Sequence, residues 1–107
     1  MERRWTTRTQ LQLAVEVSQE GGTTLHCTTR DIGLGGVFVN VGRRALPEGQ
    51  NVELTFRLPT STPVEECRLR AKVVRAADEG AGLIFRDFDA TAFRSLQKVM
   101  RSRDSAV

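Results

Sequence analysis

The 107-residue chain has no tyrosine, one tryptophan, one histidine, three prolines and two cysteines, and these scarcities narrow its chemistry. No apolar run approaches the roughly 20 residues of a membrane span, and Met1 to Arg8 is charged and polar rather than the apolar core of an export signal. A cytoplasmic protein without membrane insertion is expected. Cys27 and Cys67 are then read as reduced core or strand residues, because disulfides persist in oxidising compartments. The lone His26 stands beside Cys27 on a predicted strand, where neighbouring side chains face opposite sides and do not easily share a metal. The chain has no Walker-type loop ending in Lys-Ser or Lys-Thr, and no Gly-x-Gly-x-x-Gly between a strand and a helix. With so little from which to assemble nucleophile, base or ligand set, a binding protein rather than an enzyme is expected, with no metal or cofactor.

What is present is ordinary globular material. An apolar content of 39% against 27% charged residues permits a folded core, and the length suits one domain. Leu11, Leu13, Val15 and Val17 alternate with polar residues, the period of a strand with one buried face. Gly21-Gly22 reads as a hairpin turn, and the β-branched stretch Thr23 to Ile32 as the returning strand, with weaker alternation. The glycines of Gly33-Leu34-Gly35-Gly36 predict a tight bend before a strand at Val37-Phe38-Val39. Further strands are expected at Val52 to Leu58, at Leu69 to Val73 with Arg68, Arg70 and Lys72 facing outward, and at Gly82 to Phe85. The tail then changes period. Phe88, Ala92, Leu96, Val99 and Arg103 share a helical stripe, with Asp89 as cap. The fold class is all-β: a six-stranded antiparallel barrel with one C-terminal α-helix.

Two features point to a ligand. In Arg3-Arg4-Trp5-Thr6-Thr7-Arg8, Arg4 and Arg8 would point to one side of an extended chain, about 13 Å apart along the backbone. Guanidinium groups so spaced suit opposite ends of a flat anion, since each is planar, charged and forked to match phosphate or the O6/N7 edge of guanine. In Asp31-Ile32-Gly33-Leu34-Gly35-Gly36, a carboxylate that accepts from N–H groups such as guanine N1 and N2 adjoins a turn of bare backbone.

In the order and spacing of these features the sequence resembles the PilZ family, which has an Arg-x-x-x-Arg motif in a flexible N-terminal segment and an Asp/Asn-x-Ser-x-x-Gly motif on a barrel strand. Arg4 to Arg8 matches the first, and Asp31 to Gly36 the second. The resemblance implies a six-stranded barrel over residues 11–107, a flexible segment over 1–10, and binding of cyclic di-GMP, often as a self-intercalated dimer. It gives Arg4 and Arg8 the gripping of guanine edges and phosphates, Arg3 a further phosphate contact, Asp31 a guanine, and Gly36 the close approach. Trp5 would stack on a guanine or pack the segment down. Gly33 departs from the motif, standing where the family has Ser. The lost hydrogen bond would cost roughly 0.5–3 kcal/mol, a few-fold to about a hundredfold in affinity.

The functional expectation is a cyclic di-GMP receptor whose N-terminal segment, held open by repulsion among Arg3, Arg4 and Arg8, orders on the dianionic ligand and signals to a protein effector. Two other readings compete. One is a PilZ-like adaptor that binds no nucleotide and acts by protein contact. The other is an RNA or single-stranded DNA binder, disfavoured because such sites expose aromatic platforms and the Phe residues here fall at core-type positions.

Overall fold

A computed structural model describes residues 8–33, 35–42, 45–58 and 65–87, together with Arg94, Ser95, Gln97 and Lys98. Seven strands run in the order β1 (Arg8–Gln10), β2 (Ala14–Gln19), β3 (Thr24–Gly33), β4 (Gly36–Asn40), β5 (Asn51–Leu58), β6 (Glu65–Ala76) and β7 (Ala81–Asp87). All pairings are antiparallel, and β3–β2–β5–β6–β7–β4 closes back on β3. This is the six-stranded barrel expected from the alternation. The expected C-terminal helix, with its stripe at Phe88, Ala92, Leu96, Val99 and Arg103 and its cap at Asp89, lies outside the described residues apart from Arg94, Ser95, Gln97 and Lys98, whose backbone is helical.

The inward faces of β2 and of β4 to β7 are apolar at every second residue, so closing the ladder removes those side chains from water together. Val15 and Val17 of β2, Ile32 of β3, Val37 and Val39 of β4, Leu54 and Phe56 of β5, Leu69 and Val73 of β6, and Leu83 of β7 form one buried cluster. Phe56 meets Phe85 edge to face, with ring centroids 6.4 Å apart. Cys67 is buried in this core, whereas Cys27 is half-buried against it and His26 faces solvent. Desolvation pushes the Cys27 thiol up to about 11. Neither cysteine forms a disulfide, and both lie within strands.

The β2–β3 hairpin turns at Gly21 and Gly22, each with positive φ, as the glycine pair predicts. The first expected strand is placed differently. β2 begins at Ala14, and Leu11 to Leu13 form a break between it and β1. Both short strands pair with the same edge of β3, β1 with Asp31 to Gly33 and β2 with Thr24 to Thr28. They make one interrupted stave. Fully buried Thr29 bridges the interruption: its N–H donates to the Leu13 carbonyl at 2.9 Å, and its Oγ1 accepts from Leu13 N–H at 2.9 Å and donates to the Leu11 carbonyl. One hydroxyl thus satisfies two backbone groups that the ladder leaves over.

Candidate functional site

The site expected from sequence lies at the Gly33 end of β3, and a bulge shapes it. Thr29 pairs with Val39 and Asp31 with Phe38, so Arg30 is the extra residue on β3. Strict alternation would turn Asp31 inward with Thr29. The inserted residue resets the parity, so Thr29 and Ile32 remain fully buried while Arg30 and Asp31 both face out. The outward carboxylate is therefore a product of the bulge, and it avoids the cost of a charge in the core.

Across from this segment runs β1. Arg8 pairs with Gly33 and Gln10 with Asp31, so the end of the arginine motif and the start of the glycine turn share one ladder. Of Arg8 only the backbone is described; Arg3, Arg4 and Trp5 lie outside the described residues. The described strand begins at Arg8, three residues before the expected Leu11. Gln10 is exposed and Thr9, opposite buried Ile32, is half-buried.

The turn glycines have structural reasons of their own. A Cβ on Gly36 would overlap the Leu83 carbonyl oxygen, so glycine there lets β4 lie against β7. Neither Gly35 nor Gly36 has a positive φ, and Phe85 N–H closes the turn by donating to the Gly35 carbonyl at 2.9 Å. Gly33 is buried, directly across from Arg8.

Two further residues belong to this surface, and the sequence reading passed over their roles. Arg30 Nε donates to Asp31 Oδ2 at 3.0 Å, and the guanidinium lies over the Phe38 ring, 3.8 Å from its centroid. Phe38, expected among the core residues, alternates to the outer face between Val37 and Val39 and is only 6% exposed, beneath Arg30. Its cross-strand neighbours are Asp31 on β3 and Gly82 on β7. An arginine beside an aspartate in a β-branched run was the available signal, but its geometry needs the bulge.

On another flank, an open groove of about 490 Å³ lies between β2, β5, β6 and β7. Arg70 and Arg86 line it together with Glu20 and Glu53, and Arg86 donates to Asn51 Oδ1 at 2.7 Å. Its charges are mixed, and it contains none of the motif residues. Arg68, Arg70 and Lys72 face solvent as expected. Nearby, Arg57 is engaged by Glu16 at 3.2 Å and Glu66 at 3.9 Å. Among the described residues no helix is long and apolar enough to cross a membrane.

Comparison with known proteins places this architecture. The chain is similar in structure to the Bacillus subtilis inhibitor of motility MotI/DgrA, with a TM-score of 0.81 and 21% identity, covering 98% of this chain and 53% of that one. It thus spans about half the length of that protein. Similarity to the PilZ domain of CeSA from a cellulose-synthesizing bacterium gives a TM-score of 0.73 and 22% identity, over 92% of this chain and 99% of that domain. A Legionella protein of uncharacterised function aligns with a TM-score of 0.56 and 18% identity, over 94% and 97% of the two chains. No curated protein matches the sequence significantly. The PilZ domain family matches residues 2–102; with the closed barrel and the glycine turn at the end of β3, this chain belongs to the PilZ domain family.

Proposed function

We propose that the protein is a cyclic di-GMP receptor that passes the binding event to a protein partner. Family membership supports the ligand, and the observation that carries the reading to this chain is the β1–β3 register, in which Arg8 lies opposite Gly33 and Gln10 opposite Asp31. A ligand held by arginines of the N-terminal segment meets the Asp31 carboxylate across a single strand spacing of about 5 Å. In this reading Arg4 and Arg8 grip guanine edges and phosphates, Arg3 adds a phosphate contact, and Asp31 accepts from guanine N1–H and N2–H. Residues 1–10 change their order when the dianionic ligand offsets the repulsion among the arginines, and the partner reads the altered surface.

Isothermal titration with cyclic di-GMP, with GTP and the Arg8→Ala variant as controls, tests the reading. Saturable heat lost in Arg8→Ala is expected. A folded protein that gives no heat moves the assignment to the alternative, an adaptor that works by protein contact without nucleotide. Gly33 in the motif's Ser position is the observation that favours that alternative.

A further inference from the structure

The Arg30–Asp31 pair presents a donor beside an acceptor on the barrel's outer face. Nε of Arg30 is committed to Asp31 Oδ2 at 3.0 Å. The terminal nitrogens of the guanidinium carry the remaining N–H donors, and the side chain is 49% exposed while Asp31 is 13% exposed. Neither group is loose. The guanidinium is stacked on Phe38 at 3.8 Å, and the ring is seated beside the residue before β7, where a Cβ on Gly80 would overlap the Val39 carbonyl oxygen and come within 2.6 Å of Phe38 Cε1. Glycine at 80 admits the ring, the ring carries the guanidinium, and the guanidinium holds the carboxylate.

A donor and an acceptor side by side read a base edge by polarity. Guanine shows an acceptor, O6, next to the N1–H and N2–H donors; adenine shows the N6 amino donor next to the N1 acceptor. We propose that Arg30 is a specificity-determining residue of this site, its guanidinium donating to guanine O6 while Asp31 accepts from N1–H and N2–H, so that adenine meets donor against donor and acceptor against acceptor. The inference rests on the cyclic di-GMP reading above and goes beyond it, because it assigns base choice to a barrel residue outside the two motif patterns. Arginine suits the role where lysine does not: the planar fork both stacks on the ring and keeps donors at its rim.

The test is titration of the full chain with cyclic di-GMP and, separately, cyclic di-AMP, for wild type, Arg30→Ala and Arg30→Lys. Wild type is expected to prefer the guanine ligand, and Arg30→Ala to lose at least about fivefold of that preference, the lower bound for a base-reading contact. Arg30→Lys is expected to restore the preference only in part, and it carries the test if the alanine variant folds poorly. An unchanged preference, or equal weakening toward both ligands, overturns the inference while leaving the receptor reading intact. Wild type that binds neither ligand overturns both.

Discussion

The β5–β6 ladder and the Gly33 end of β3 are built from similar strand residues and differ in regularity. From Asn51 opposite Lys72 to Leu58 opposite Glu65, eight successive pairs keep one register. At Thr29 to Asp31, by contrast, the pairing of β3 slips against β4, and its other edge faces the break at Leu11 to Leu13. An unbroken register sends every second side chain inward and serves the core. A slipped one turns two consecutive side chains outward, and the slip at Arg30 brings an arginine, a carboxylate and an aromatic ring together on the surface.

The comparison is broken most severely from the regular side. Phe56 is fully buried at the centre of the β5 ladder, and Phe56→Ala is expected to cost about 3–5 kcal/mol of stability, read by urea denaturation. A loss below about 1 kcal/mol would mean that the regular half does not dominate the core. On the irregular side Thr29→Val, nearly isosteric, removes the hydroxyl that serves Leu13 N–H and the Leu11 carbonyl. A loss of about 1–3 kcal/mol is expected. Amide exchange should rise at Leu13 and stay unchanged along β5 and β6; a uniform rise would show that the two regions unfold as one.

The smallest effect concerns Cys27, opposite Val15 on the regular half of β3. Burial raises its thiol from 9.0 to about 11. The folded form therefore holds its proton more tightly than the unfolded one, so the associated stability is complete below pH 9.0 and is lost as pH rises through about 11. At pH 8 alkylation of Cys27, followed by mass spectrometry in a Cys67→Ala background, should run on the order of a hundredfold slower than for an unperturbed thiol. A rate equal to that of the unfolded chain would place the thiol in water.

Alternation in the sequence was enough for the closed barrel and for the inward faces of β2, β5 and β6, since a period of two with apolar residues on one side admits few other solutions. The weak alternation of Thr23 to Ile32 reflects a parity change at Arg30. Local pattern cannot separate such a change from a poor strand, because a bulge is defined by the partner strand. β1 was missed for a related reason: Arg-Thr-Gln has no apolar period, and its pairing depends on β3. The Arg8 backbone lies across from Gly33 and Gln10 across from Asp31, a pairing that depends on the partner strand and not on the motif spacing. Gly36 has a packing cause in Leu83, and the outward ring of Phe38 was hidden by its apolar flanks, which look like core.

Among the described residues β1 is the one strand with a partner on a single side, and that partnership is three residue pairs long. Every other described strand is held along both edges, so a pull at Arg8 meets a short zipper in front of a closed hoop. The pairs would part in sequence from Arg8 to Gln10, and the force would then fall on the knot that Thr29 ties at Leu11 and Leu13. Mechanically, β1 is a tab that can be peeled while the hoop keeps its shape.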